Sequence, residues 1–323
     1  MASIDHVLAS IPILAISGFK EFPMRPRPSS FVTLGTAGGP VQNPERSQPA
    51  HLIMNGDKPM LIDCGEGAIG QITRMGLSFR EIEQVFITHH HFDHIGSLFA
   101  LLGLSMMTQR NYPLEIYGPP GTRDIVDGLV AAAAVPNAIG FGVPGQKLPT
   151  IESFVVVREI RPGDIVELDG MRVTNCENTH YGSAKGQGEQ SPYLSLSYRF
   201  DLPDRSVMFT GDTGECAEVE ALAKGVDLLV GEMMDLDVTM GNVRRANPNM
   251  PEERIAMVQT HLSKHHLTPE QLGELAARAG ANHVVAVHFA PGSVTASSRD
   301  RYAARIGSTF SGKVSIGEDL AVF

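Results

Sequence analysis

The chain has 323 residues, 42% of them hydrophobic and 19% charged, a globular composition that excludes a disordered tail protein. Its 26 Lys and Arg stand against 36 Asp and Glu, a net charge of −10, so no basic surplus draws it to a nucleic-acid backbone. Three cysteines make no disulfide framework, and no run approaches the roughly 18 apolar residues of a membrane span.

Residues 1–30 read as an N-terminal extension, and 31–323 as one domain. Val7–Ile16 is apolar but contains Pro12 and has no basic stretch ahead of it. It reads as a docked or swapped segment rather than a signal peptide, either a homodimer contact or an active-site cover, which points to the cytoplasm rather than the periplasm. Phe22–Ser30 is Pro-rich and should be extended. Strands are expected at Phe31–Leu34, His51–Asn55, Met60–Asp63 and Val85–Thr88, and helices at Ala68–Met75, Gly96–Met107 and Thr122–Ala133. Val135–Thr150 is a Gly/Pro-rich loop, a surface connector or a lid. Strands follow at Phe154–Arg158, Ile165–Leu168 and Met171–Asn175, the last two joined by the turn Asp169-Gly170. A hairpin (Tyr193–Phe200, Ser206–Thr210), a strand Val226–Gly231, helices Pro251–Lys264 and Pro269–Ala279, and a strand His283–His288 follow, and Arg299–Ile306 and Lys313–Ile316 close the chain. Hairpins mixed with β-α units predict an α/β sandwich, two mixed sheets with helices outside.

The histidines are not spread evenly. Thr88–Gly96 reads THHHFDHIG, placing His89, His91, Asp93 and His94 in the spacing H-x-H-x-D-H between a strand and a helix. Imidazole and carboxylate are ligands for zinc and similar divalent ions. Strand alternation points His89 and His91 one way, and the following turn swings Asp93 and His94 toward a second point, so the spacing suggests two ions. Further ligands must come from elsewhere, and His180, Asp212 and His288 each follow an expected strand. A competing signal, Gly65-x-Gly67-x-x-Gly70, matches a dinucleotide loop, but the β-α-β context does not continue: the chain runs into the histidine cluster instead.

This order of landmarks (the Asp63-Cys64-Gly65-Glu66-Gly67 turn, the HxHxDH cluster, an isolated His180, Asp212 in a TGDT turn, a late His288) resembles the metallo-β-lactamase superfamily. The resemblance implies an αβ/βα four-layer sandwich with the metals at one edge. His89, His91 and His180 would hold one ion, and Asp93, His94 and His288 the other, with Asp212 bridging. Zinc is the first expectation, and manganese and iron share such ligands. Two close ions lower the pKa of water so that hydroxide exists near neutral pH, and Asp93 would orient it or take its proton.

The leaving group then needs an acid. Leu228–Glu232 ends a strand on a carboxylate, and His266 stands just before a helix begun by Thr268 and Pro269. Both points, and the Gly35–Pro40 turn, resemble the ribonuclease Z and arylsulfatase-like branch, which implies a Glu232–His266 acid pair, with His265 the alternative partner. Bacterial ribonuclease Z inserts a long tRNA-gripping arm between the isolated His and the bridging Asp. Here His180 to Asp212 leaves room only for a small loop, Gly182–Gln190, and a hairpin. The expected reaction is therefore hydrolysis of a small-molecule phosphodiester or aryl/alkyl sulfate ester. Lactone or carboxylic-ester hydrolysis, and tRNA cleavage of the ribonuclease Z type, are the alternatives. His6, His51, His261 and His283 should be structural or exposed, and His90 should point away from the metals. Leu104–Met107, Met233, Met234 and Phe92 are candidates for an apolar lining.

Overall fold

The computed structural model describes residues 28–182, 193–290 and 293–323. The Val7–Ile16 segment, the extension up to Arg27 and most of the Gly182–Gln190 loop lie outside the described residues.

Two seven-stranded sheets face each other. The first runs β1 (Ser30–Gly35), β2 (Ala50–Asn55), β3 (Lys58–Ile62), β4 (Gln84–Phe86), β5 (Leu114–Gly118) and β6 (Val155–Glu159), with β14 (Ala321–Val322) on the far side of β1. The second runs β7 (Ile165–Leu168), β8 (Met171–Glu177), β9 (Leu196–Asp201), β10 (Ser206–Phe209), β11 (Leu228–Glu232), β12 (His283–Val287) and β13 (Lys313–Ile316). Each sheet starts with antiparallel hairpins and continues as parallel strands, from β3 in the first and β10 in the second. Nine helices are described: α1 (Ala68–Arg74), α2 (Phe92–Ile95), α3 (Leu98–Met107), α4 (Thr122–Ile139), α5 (Ala217–Leu222), α6 (Leu236–Ala246), α7 (Glu252–His265), α8 (Pro269–Ala279) and α9 (Arg299–Gly307).

Period-two alternation sorts the core into layers. In β3, Met60 and Ile62 face the opposite sheet while Leu61 faces outward; in β12, Val285 and Val287 face inward while Val284 and Ala286 face outward. Helices α1, α3 and α4 cover the first sheet, and α5, α8 and α9 the second, giving the αβ/βα sandwich the sequence predicts. No helix among the described residues is long and apolar enough to cross a membrane.

Five elements escape the sequence reading: β5, β14, α2, α5 and α6. The Val135–Thr150 segment divides, with Val135–Ile139 extending α4 through Pro136. The rest exposes Phe141 and Val143 and buries Leu148. Helix α4 begins beside His90, so its 18 residues carry this segment about 25 Å away along the helix, which makes it a connector and not a lid.

His51, on β2, is a buried polar side chain in the inner layer. It is buried against Phe31 and Phe209, at ring distances of 5.3 and 4.8 Å, and neither ring nitrogen has a hydrogen-bond partner. Burial pushes it down to about 3, so it folds neutral, whereas the unfolded chain binds its proton below about 6.5. Its contribution to stability is complete above pH 6.5 and is lost as the pH falls toward 3. His51→Leu removes the orphaned donor and should raise stability by about 1–2 kcal/mol at pH 7.5. The gap should widen by up to about 1.4 kcal/mol per pH unit below 6.5. Denaturant titrations of both proteins at pH 7.5 and 5.5 check this; a gap that stays constant would show that His51 keeps its proton when folded.

Candidate metal centre

The site lies where strands of both sheets end. Asp63 follows β3, the Thr88–His94 turn follows β4, His180 follows β8, Asp212 follows β10, Glu232 closes β11 and His288 follows β12. Placement outside the carboxyl ends of strands is the usual position of sites on parallel sheets. At this edge the two sheets are tied together: Leu196 N donates to Thr88 O (2.9 Å), Tyr198 OH to Ile87 O (2.7 Å), and Phe289 N to Thr36 O (2.8 Å).

Two clusters form. His89 Nε2 and His180 Nε2 stand 3.2 and 2.9 Å from His91 Nδ1. Beside them, His94 Nε2 and His288 Nε2 lie 3.6 and 3.4 Å from one oxygen of Asp93. Asp212 sits between the clusters, its oxygens 3.9 Å from His89, 3.6 Å from His180, 3.5 Å from His94 and 3.1 Å from His288. All seven expected metal-site residues are thus brought together, His91 exposed at the mouth and His89, His94, His180 and Asp212 buried.

The chemistry of this donor set fits divalent ions. Burial pushes His180 down to about 3 and His89 well below its ordinary value, so both present neutral lone pairs, the form a metal binds. The Nε2 atoms of His94 and His288 are buried without a hydrogen-bond partner. Burial alone would neutralise Asp212, but chiefly His288 and His94 outweigh it and keep the carboxylate ionised. Three neighbours fix the ring faces. Asp63 takes His94 Nδ1 at 2.7 Å, Thr88 Oγ1 meets His89 Nδ1 at 3.0 Å, and His180 Nδ1 faces the His265 carbonyl at 3.3 Å. Each of these bonds leaves the other ring nitrogen directed into the site. Thr88 is itself held by Asp63.

The backbone approaches as closely as the side chains. Gly39 N donates to Asp93 Oδ2 at 2.7 Å. A Cβ on Gly39 would overlap that carboxyl, and one on Gly38 would lie 2.7 Å from the His288 ring. That is why the Gly35–Pro40 turn carries glycines. The turn is held by Asp319, which accepts from Thr36 N and Ser47 N. Asp63 and His288 both adopt positive φ (55° and 58°), a conformation disfavoured for side chains with a Cβ and met here where the chain turns into the site.

Next to the clusters, His266 Nδ1 is 2.7 Å from Glu232 Oε2, while Glu232 Oε1 accepts from Thr213 N at 2.5 Å. Burial pulls His266 down, but the Glu232 charge and hydrogen bond outweigh it and raise the imidazole to about 9. The ring stands 4.9 Å from His180 and 6.1 Å from His288. His265 turns the other way and meets Thr179 O at 2.6 Å, so it supports the His180 loop and is not the partner of Glu232. His90 bonds Thr122 Oγ1 at 2.9 Å, outside both clusters, as expected. Among the other expected structural histidines, His283 bonds Ser315, His261 is exposed, and His6 lies outside the described residues.

Two cavities flank the clusters. One, of about 650 Å³, opens over His266 and His288. It is lined by Val41, Met234 and side chains of α6 and α7. The other, of about 470 Å³, lies beside His91, with Tyr181 and Tyr193. Of the apolar lining the sequence suggests, only Met234 is there: Met233 packs under the second sheet, Met106 and Met107 under the first, and Phe92 is exposed. Sequence reasoning missed α6, the Asp319 support and the reason for Gly38 and Gly39.

The beta-lactamase superfamily domain model matches residues 59–289. A ribonuclease Z of Mycobacterium avium (strain 104) is 29% identical over 292 residues, covering 90% of this chain and 96% of that protein. Among solved structures, the metallo-beta-lactamase fold protein YhfI from Bacillus subtilis superposes with a TM-score of 0.67 at 17% identity, over 92% of this chain and 99% of that one. The short form of human tRNase Z gives 0.63 at 21% identity, over 91% and 98%. The fold, the converging histidines and carboxylates, and the match across most of its length agree: this chain belongs to the beta-lactamase superfamily, as a metallo-β-lactamase-fold hydrolase related to ribonuclease Z.

Proposed function

We propose that the protein hydrolyses a small-molecule phosphodiester or aryl/alkyl sulfate ester, using His89, His91 and His180 for one divalent ion, Asp93, His94 and His288 for the second, and Asp212 for both. Zinc suits a site of five imidazoles and two carboxylates best. Such a pair of ions supplies Lewis acidity and a nucleophile at neutral pH. Asp93 takes the proton of the attacking water, and His266, held by Glu232, gives one to the departing oxygen.

The observation that carries this reading is the Glu232–His266 pair, placed 4.9 Å from His180. A donor raised to about 9 is useful where the departing oxygen is strongly basic, as an alkoxide or phenoxide is. The net charge of −10 and the short stretch from His180 to Asp212 favour a small substrate over RNA. The mycobacterial relative's name favours a second reading, cleavage of RNA.

A matched panel separates them: nitrophenyl bis-phosphate, sulfate and carboxylic ester, a lactone, and a precursor tRNA, each on metal-replete protein with and without chelator. The expected result is a chelator-sensitive rate on the bis-phosphate or the sulfate. A rate confined to the ester or lactone moves the protein to carbonyl chemistry, and a rate confined to the tRNA establishes the second reading.

A further inference from the structure

Between Glu232 and His266 the chain leaves the sheet edge as α6 and α7 and then returns to it. The base of this hairpin is fastened at both ends. Met234 N donates to Leu267 O at 2.8 Å. Asp235 caps α6 through Val238 N and also accepts from Tyr302 OH (2.9 Å) and Arg305 (2.8 Å). The two helices bury little of themselves: Met240 is the buried residue of α6, and Ile255 that of α7. Instead, Val243, Ala246 and Leu262 line the 650 Å³ cavity, a volume within the range of small-molecule pockets. No Lys, Arg, Asp or Glu lines it among the described residues.

Its floor decides what it holds. His266 spends Nδ1 on Glu232 and has Nε2 left to donate. An acid must lie within hydrogen-bond reach of the oxygen it protonates, so the group on that oxygen lies on the His266 side, in this cavity. We propose that the α6–α7 hairpin is the specificity element of the enzyme, receiving an uncharged, apolar alcohol or phenol as the leaving group, with Val243, Ala246 and Leu262 setting its length. This rests on the ester-hydrolase reading above. In the step, water oxygen bonds to phosphorus or sulfur and loses its proton to Asp93. The bond to the apolar group's oxygen breaks, its electron pair stays on that oxygen, and the His266 proton completes the neutral alcohol. The retained part of the ester lies toward the second cavity, where His91, Asp124, Tyr181 and Tyr193 make a more polar wall.

The test uses 4-alkylphenyl esters, methyl through hexyl, both as methyl phosphodiesters and as sulfates. The para chain changes length while the acidity of the phenol stays nearly constant. In a companion phosphodiester series the alkyl chain sits on the retained side instead. The leaving-group series should gain in kcat/KM by up to about fourfold per methylene, the effect of one buried CH2, until the cavity is full. The companion series should be flat. Val243→Arg and, as a gentler variant, Ala246→Phe should each lower the hexyl-to-methyl ratio at least tenfold. Met257→Arg, on the exposed side of α7, should keep the ratio. A flat leaving-group series, or a ratio that neither cavity variant changes, overturns the assignment while the hydrolase reading stands. Turnover of no diester or sulfate, with metal bound, overturns both.

Discussion

Replacing Asp212 by Ala is expected to remove bound metal and activity together. Its carboxylate lies within 4 Å of ring nitrogens from both clusters, reaching His89, His180, His94 and His288. It is buried and kept ionised chiefly by His288 and His94. Without it, two positive ions would face each other with one fewer negative charge and no shared ligand. Loss of partners that merely orient a ligand already costs 10–100-fold in affinity or activity, so loss of a shared carboxylate should exceed about 100-fold in both. Elemental analysis of the purified variant and kcat/KM on the panel's best substrate read the two quantities. Stability gives a third. Metal that binds only the folded state raises Tm, so chelator should lower the wild-type Tm and leave that of Asp212→Ala where it is. Full metal content with full activity would sink the bridging role.

This residue could be read from sequence because the fold delivers its ligands in a simple way. Thr88–His94, His180, Asp212 and His288 each follow directly on a strand that ends at the same edge, and strands are visible as short apolar runs. What resisted reading depends on groups remote in the chain. The stretch that forms α6, LDVTMGNVRRA, mixes Gly and β-branched residues, so propensity is weak. It is helical because Asp235 caps it and α7 packs on it. Strand β5 is five residues long, and its partners β4 and β6 come from well before and well after it. Gly38 and Gly39 look like any turn until Asp93 packs against Gly39 and His288, some 250 positions later, against Gly38. The choice between His265 and His266 is similar. They are neighbours in sequence, but α7 ends at His265, and the extended conformation of His266 turns its ring to Glu232 while His265 turns to Thr179.

His266→Ala should discriminate sharply among leaving groups. General acid catalysis contributes about 10²–10⁴-fold where the departing oxygen is strongly basic and little where it is already stable as an anion. The variant should therefore lose at least about 100-fold on alkylphenyl esters and less than tenfold on nitrophenyl ones. Equal losses on both would mean that the ring shapes the site without giving a proton. Glu232→Gln supplies the complementary measurement, since Glu232 acts through His266. With the carboxylate in place the imidazole titrates at about 9, so the rate on alkylphenyl esters should hold through neutral pH and fall as the pH rises past that value. Removing the negative charge leaves burial, which favours the neutral ring, in control. The alkaline limb should then move to lower pH, while the nitrophenyl profile, which needs no acid, changes much less. A limb that stays in place would assign it to another group and leave Glu232 as the support for Thr213 alone.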